Sequence, residues 1–285
     1  MPELPEVEVV RRDLDPVLRG RTVVAAEVGR DRAVRREPAP EAFVATLTGR
    51  TVVATSRVGK FLVVRLDGGL EGAGRDVVIV HLGMSGQLRV AESADEARLP
   101  HTHVVWTLDD GREVRFVDPR TFGQMWHAVS TDPGGRPEPL GHLGPDALDD
   151  LGDATMLTSR FAGRRVAVKL RLMDQTALAG LGNIYTDEIL FRAGVAPHRP
   201  SGSVTEDECV ALVAAIRAVL PAAIAARGSS LADAQYVDGR GRPGTYQEQF
   251  AVHARAGRPC PRCGRTVARL AMGGRSASFC PGCQR

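Results

Sequence analysis

Apolar residues near the start of the chain recur with the period of a helix. Val7, Val10, Leu14 and Val17 form one stripe over residues 5–19, the spacing that places side chains on a single helical face. Pro5 suits the first turn, Glu6 and Glu8 favour the positive end of the helix dipole, and Gly20 closes the segment. The period then changes. Short runs rich in β-branched residues follow at Thr22–Val28, Thr51–Val58, Phe61–Leu66, Val77–Leu82, Gln87–Val90, His103–Leu108 and Glu113–Val117. Residues 40–48 read as a short helix among them, and Asp110-Gly111 marks a hairpin between the last two runs. Many short strands separated by turn residues indicate an antiparallel sandwich or barrel.

Beyond residue 130 the pattern changes again. Residues 131–150 are rich in Pro, Gly and Asp and read as a linker. Helical spacing resumes over 154–161, 167–177, 184–192 and 205–226, with Thr205 and Glu208 spaced as a capping box for the last. The organisation expected is therefore a strand-rich domain at 1–130, a helical domain at 151–250 and a small terminal hairpin at 251–285. The class is α+β and multidomain.

Composition narrows the function classes. The chain has 285 residues, 43% hydrophobic and 25% charged, as expected of a globular protein with room for two domains. No uninterrupted apolar run is long enough to span a membrane. The opening MPELPEVEVV lacks the basic and apolar regions of a secretory signal, so a cytoplasmic protein is expected. Net charge is only +3, but residues 249–285 hold seven Arg and no Asp or Glu. A basic terminal block points to a polyanion, nucleic acid first. Of 37 basic residues only Lys60 and Lys169 are lysines. In so Arg-biased a chain, a lysine marks a place that needs a proton to be lost or a compact charge.

Four of the five cysteines fall in the pattern Cys260-x2-Cys263-x16-Cys280-x2-Cys283. This is the spacing of a closed tetrahedral zinc site, and one structural zinc would give the small tail its fold. Two disulfides or a redox pair are the rival readings. Cys209, on a predicted helix, reads as a packed thiol. Arg275 sits on a Gly-Gly-Arg-Ser turn between the cysteine pairs, where a hairpin can present it to a phosphate.

The N-terminus carries a second constellation. Pro2 follows the initiator Met, so Met removal would leave a secondary amine as the first residue. Such an amine attacks an aldehyde-like carbon to give an iminium, which is a good electron sink. Glu3 and Glu6 can lie beside it as acid and base. Lys60 opens a strand after Gly59, Met84 sits in the Gly-rich loop HLGMSG, and Arg120 with Phe122 sits in the tight turn DPRTFG. Apolar wedges and arginines on loops are what entry into a duplex requires. Gly180-Leu181-Gly182-Asn183 precedes a helix and could approach a phosphate, with Asn183 as N-cap.

Together, PELPEVE, the Gly-Lys before a strand, HLGMSG, DPRTFG, LMDQ with GLGNIY, and the four-cysteine hairpin occur in an order that resembles the bacterial formamidopyrimidine-DNA glycosylases. The resemblance spans the whole chain. It implies an N-terminal β-sandwich with a leading helix, a helix–two-turns–helix domain and a zinc finger. It implies excision of oxidised purines, 8-oxoguanine and formamidopyrimidines, from damaged double-stranded DNA, coupled to abasic-site cleavage by β,δ-elimination. By resemblance Pro2 is the nucleophile, Glu3 the proton donor and Glu6 the group that orients the sugar. Lys60 contacts the lesion phosphate, and Arg275 grips phosphates. Met84, Arg120 and Phe122 fill the gap left by the flipped nucleotide, with Arg120 facing the opposite cytosine. His101, Arg164, Lys169 and Asn183 fall where the family binds DNA. A monomer associated with the nucleoid is expected.

Three departures stand out. Thr121 replaces a frequent Arg, Gly228-Ser229-Ser230 replaces Gly-Gly-Thr, and Val252-His253-Ala254-Arg255 replaces Val-Tyr-Gly-Arg. Two other readings compete. An endonuclease VIII-type glycosylase for oxidised pyrimidines usually opens PEGPE and lacks the Met-Arg-Phe wedge. A non-enzymatic zinc-finger DNA-binding protein leaves Pro2, Glu3 and Lys60 unexplained.

Overall fold

The computed structural model describes residues 2–68, 75–130, 135–231 and 236–285. The chain forms two compact units. The first comprises Met1–His142 and Ala226–Thr245, and the second Leu143–Ala225 and Tyr246–Arg285. Part of the predicted linker, residues 131–134, lies outside the described residues, as does Met1.

The first unit opens with α1 (Leu4–Leu18), whose Val7, Val10, Leu14 and Val17 are buried as the spacing required. Two antiparallel sheets follow. One has the order β1 (Val23–Val28), β6 (Thr102–Leu108), β7 (Glu113–Val117) and β5 (Gln87–Ala91). The other runs β2 (Val52–Val58), β3 (Phe61–Leu66), β4 (Asp76–His81) and β8 (Gln124–Val129), with α2 (Pro40–Leu47) inserted after β1. Val64, Val78 and Val80 from one sheet and Val104, Trp106 and Phe116 from the other share one core, also filled by α1. Two separate sheets sharing a core make a sandwich, which settles the choice against a barrel. Strand β8 lies outside the runs that the sequence pattern marks as strands. It pairs with β4 in the register Ile79–Trp126 and Val80–Met125, and its polar His127 and Gln124 break the apolar run that would have revealed it.

Residues 226–245 return to the first unit although they follow the longest helix. Arg227 Nε donates to Asp238 Oδ2 at 2.6 Å, and its Nη2 bonds Asp13 on α1. Gly239 N donates to Asp13 Oδ2 at 3.1 Å, and Val90 N on β5 donates to Gly239 O at 2.9 Å. Asp238 is fully buried and also accepts the N–H groups of Arg240 and Arg242, each at 2.9 Å. Those partners hold its carboxyl below the ordinary value although burial acts in the other direction. Such links between residues more than 200 positions apart leave no local signature. Residues 232–235 of this return lie outside the description.

The second unit contains α3 (Ala154–Phe161), α4 (Val168–Met173), α5 (Asn183–Ala193) and α6 (Glu206–Ala225), then the hairpin β9 (Ala268–Met272) and β10 (Arg275–Phe279). Between α4 and α5 the chain makes two turns. Asp174 Oδ1 accepts from Thr176 N at 3.0 Å, and Gln175 reaches across to Met173 O at 2.7 Å, Leu181 O at 2.9 Å and Gly180 N at 2.9 Å. The capping box at α6 forms, with Thr205 N donating to Glu208 Oε2 at 2.8 Å. Helix α6 is long and apolar enough to cross a membrane by length and composition, although Arg217 interrupts its apolar run. It is a core helix: Cys209, Leu212, Ile216 and Leu220 are fully buried.

Two successive acids on α5 organise the finger. Glu188 accepts the N–H groups of Ala251, Val252 and His253 at 2.8–3.0 Å, and burial raises its pKa despite those donors. Asp187 Oδ1 takes the Lys169 ammonium at 2.5 Å, while its Oδ2 meets His253 Nδ1 at 2.8 Å and Ser278 N at 3.2 Å. Lys169 also donates to Ser276 O at 2.9 Å. Both members of the ion pair are 1% exposed. Breaking a buried pair by removing one partner strands the other charge, so Lys169→Met should destabilise the protein by about 3–5 kcal/mol. Lys169→Met combined with Asp187→Leu should recover part of that loss. Urea unfolding measures both; a single-mutant loss below about 1 kcal/mol, the level of an exposed pair, would show that the pair is not stabilising.

Candidate active site

In the first unit, Pro2, Glu3 and Glu6 are all buried at the start of α1. Glu3 is the N-cap, and the structure brings Glu3 and Glu6 together as a capping box. Glu6 Oε2 accepts from Glu3 N at 2.8 Å. Its other oxygen accepts from Ser229 N at 2.8 Å. One carboxylate, 1% exposed, thus fastens the backbone beside Pro2 to the returning segment at 228–229. Gly228 has φ +81°, and a Cβ there would lie 2.8 Å from Glu6 Oε1. The Gly-Ser-Ser departure therefore keeps the one glycine whose absence of side chain the Glu6 contact needs. Ser230 is bonded as well, its hydroxyl donating to Tyr236 O at 2.7 Å. Burial and then the Glu6 charge push the Tyr236 phenol well above its ordinary range, so it stays protonated and donates to Arg227 O at 3.1 Å.

Lys60 is 7% exposed at the β2–β3 turn. The turn is tied back to α1 through Arg57, whose Nη1 donates to Gly59 O at 2.9 Å and whose Nε stands 3.4 Å from Glu8 Oε2. Glu8 and Arg57 were not singled out from the sequence; Glu8 reads there only as a favourable helix-start charge. Burial and then the Lys60 charge bring His81 down to about 4, so this neighbouring imidazole is neutral near pH 7.

Met84, Arg120 and Phe122 come together on two packed turns. Met84 is 41% and Phe122 46% exposed. The guanidinium of Arg120 stands 5.3 Å from the centre of the Phe122 ring. Gly83, at φ +64°, lets the two turns touch, since a Cβ there would meet Gly123 N at 2.4 Å. Beneath them is Asp118, fully buried. Its Oδ1 accepts from the Ser85 hydroxyl at 2.5 Å and its Oδ2 from Gly123 N at 2.7 Å, while Ser85 Oγ accepts from Arg120 N at 3.2 Å. Asp118 N donates to His101 O at 3.0 Å, which places His101, exposed and at φ 65°, on the flank of the same turn.

In the second unit, Asn183 and Arg275 line a common open cavity with Arg269 and Ser276. Asn183 is the first residue of α5 rather than its cap, which is Gly182. Its Oδ1 is buried without a hydrogen-bond partner. Arg275 is exposed as the first residue of β10, immediately after the turn on which the sequence placed it. Arg164 is exposed on the loop after α3. Lys169 differs from these: its ammonium faces Asp187 and the hairpin backbone, not the surface.

The four cysteine sulfurs lie within 4.8 Å of one another. Cys260 Sγ is 3.9 Å from Cys283 Sγ, and Cys263 Sγ is 3.4 Å from Cys280 Sγ. All five cysteines are free. Thiolates bound at about 2.3 Å around one tetrahedral zinc stand at roughly such separations, whereas a disulfide requires about 2.05 Å. The donor set fits one structural zinc. Val252, Val267 and Phe191 pack against Cys260 and Cys280, a cluster too small to fold the hairpin without metal. Chelating the zinc, or Cys280→Ser, should open the 251–285 segment to trypsin at its arginines while the remaining chain resists cleavage. Unchanged proteolysis of metal-free protein would contradict a structural role.

Comparison with known proteins covers the whole chain. Residues 1–125 match the formamidopyrimidine-DNA glycosylase N-terminal domain, 143–235 its H2TH domain, and 257–285 the zinc finger found in FPG and IleRS. The chain is 45% identical over 295 residues to a formamidopyrimidine-DNA glycosylase of Paracoccus denitrificans, with full coverage of both. Among solved structures, MutM (Fpg) from Thermus thermophilus superposes with a TM-score of 0.84 at 38% identity, covering 99% of this chain and 98% of that one. A Lactococcus lactis Fpg mutant in complex with Fapy-dG containing DNA matches with a TM-score of 0.84 at 30% identity and complete coverage of both chains. With three consecutive domain matches and relatives of this identity over its full length, the chain belongs to the formamidopyrimidine-DNA glycosylase family.

Proposed function

We propose that the protein excises oxidised purines, 8-oxoguanine and formamidopyrimidines, from damaged duplex DNA and then cleaves the abasic strand. Its place is base-excision repair in the cytoplasm, acting on the nucleoid as a monomer. The carrying observation is the buried terminus, where Glu6 holds both the Glu3 backbone and Ser229 beside Pro2. A helix start used only for capping has no need of this second tether.

Removal of Met1 gives Pro2 a free secondary amine. The damaged nucleotide leaves the stack, because its glycosidic bond is out of reach inside a duplex. The Pro2 nitrogen attacks C1′, the bond from C1′ to the base breaks, and the base leaves with a proton. Glu3 gives a proton to the sugar ring oxygen as the ring opens, leaving an iminium between Pro2 and C1′. The iminium accepts the electron pair released when a C2′ proton is lost, and the 3′ phosphate departs. A second elimination expels the 5′ phosphate. Glu6 orients the sugar, Lys60 neutralises the lesion phosphate, and Arg275 grips the phosphates during the second elimination. His101, Arg164 and Asn183 hold the backbone; Lys169 serves the same surface through the hairpin it anchors. Met84, Arg120 and Phe122 occupy the gap, with Arg120 reading the orphan cytosine.

Borohydride reduction tests the covalent step. Intact mass should show Met1 absent, and reduction on 8-oxoguanine DNA should attach the strand at residue 2. Pro2→Gly should retain much of its DNA binding and lose most excision and cleavage. Glu3→Gln should slow excision on the order of 100-fold or more, the range for removal of a general acid. Normal cleavage by protein that retains Met1 would exclude Pro2 and turn attention to Lys60.

A further inference from the structure

Three consecutive carbonyls of the Arg120–Phe122 turn are held by residues almost 90 positions away. Thr121 O accepts from Arg32 Nε at 3.1 Å, and Phe122 O accepts from Arg35 Nη2 at 3.1 Å. Gly123 O accepts from Arg35 Nη1 at 2.8 Å, and the same nitrogen donates to Arg32 O at 2.9 Å. The planar guanidinium of Arg35 thus spans two neighbouring carbonyls, a geometry a lysine ammonium cannot copy.

The base of this clamp is fixed. Between the two arginines, Ala33 and Val34 are buried in the sandwich core at 4% and 2% exposure. Arg36 stacks 4.0 Å over the Trp126 ring of β8, and Glu37 Oε1 accepts from His127 N at 2.5 Å. The segment 32–37 is therefore pinned to the strand that begins just after the turn. The turn itself needs such support. Thr121 lies at φ 55°, a left-handed conformation that a β-branched residue resists. Burial and the charges of Arg32 and Arg36 lower the Arg35 pKa, but an arginine stays protonated throughout the working range, so the clamp is not a pH switch.

We propose that Arg32 and Arg35 are positioning residues for the duplex wedge. They hold the backbone of residues 121–123 so that Phe122 and Arg120 meet the extruded nucleotide's gap in one geometry, and so set discrimination of the opposite base. The proposal rests on the wedge reading of Arg120 and Phe122 given above. The bonded atoms are turn carbonyls, so the clamp acts on the turn backbone while the Phe122 ring and the Arg120 guanidinium stay available to DNA.

Single-turnover rates separate the possibilities. Arg35→Met, Arg32→Met, Arg120→Ala and Phe122→Ala are compared on 8-oxoguanine opposite C, on 8-oxoguanine opposite A, and on a single-stranded abasic oligonucleotide that offers no gap to fill. For Arg35→Met the ratio of duplex excision to single-strand cleavage should fall on the order of tenfold, and the C-to-A preference should move toward that of Arg120→Ala. Arg32→Met, which frees one carbonyl, should show a smaller change in the same direction. An equal fall on both substrates would mean general destabilisation and overturn the proposal. Weaker binding with a shallower salt dependence and an unchanged C-to-A ratio would make Arg35 a phosphate contact and also overturn it. Normal Arg35→Met rates beside a slow Phe122→Ala would reject the clamp alone; normal rates for Phe122→Ala and Arg120→Ala would reject the wedge reading beneath it.

Discussion

A buried carboxylate must have both oxygens satisfied, and Glu6 meets that requirement from two directions. One oxygen accepts the N–H of Glu3 and the other the N–H of Ser229. The first bond is local and would exist in an isolated helix. The second joins residue 6 to a segment more than 200 positions later, after the chain has left the first unit and returned. Position 228 must therefore tolerate a left-handed backbone with the Glu6 side chain against its Cα, which restricts it to glycine. Arg227 and Asp238 repeat the tether about two turns along α1, at Asp13. The buried N-terminus is held in place by long-range polar bonds, not by the propensity of its own residues.

The same device recurs at three further places. Asp118 holds the Arg120 turn through Ser85 and Gly123. Asp187 and Glu188 hold the finger hairpin and its entry through backbone N–H groups. Glu8 reaches the Lys60 turn through Arg57. Acids are thus buried and bonded beneath, while Arg120 and Arg275 are exposed. A polyanion would be repelled by surface carboxylates, and fully satisfied buried networks make rigid supports. An Arg-rich chain with near-neutral total charge can in this way present one sign of charge where it is needed.

Much of this was legible in the sequence, and what was not has a common cause. The stripe Val7, Val10, Leu14 and Val17 located α1, and alternating β-branched runs located seven strands, because period is a local property. The motifs that display side chains were also legible: a Met or Phe beside glycine in a tight turn is out of place in a core, and two CxxC pairs announce their sulfurs. Strand β8 was hidden because Gln124 and His127 interrupt it. The supports Asp118, Asp187, Glu188 and Arg57 were hidden because a single acid or arginine in a sequence carries no sign of what it bonds. The return of 226–245 to the first unit was hidden for the same reason, since its partners Asp13 and Glu6 lie at the other end of the chain.

The two lysines bring the point to its sharpest form. Their survival among 35 arginines suggested positions where a guanidinium fails, through its permanent charge or its width. Lys169 answers to the second. Its ammonium is enclosed at 1% exposure between Asp187 Oδ1 and Ser276 O, on a site with room for a compact charge and two acceptors. A planar five-donor fork there would leave N–H groups buried without partners, each costing about 1–3 kcal/mol. Lys60 is also nearly buried, but at a turn in the unit that holds Pro2, where burial and then the Lys60 charge keep the neighbouring His81 neutral near pH 7. One rarity in composition therefore has two settings, an enclosed ion pair in the second unit and a strand-to-strand turn in the first. Residue counts alone identified the positions, and only the surroundings of each ammonium tell them apart.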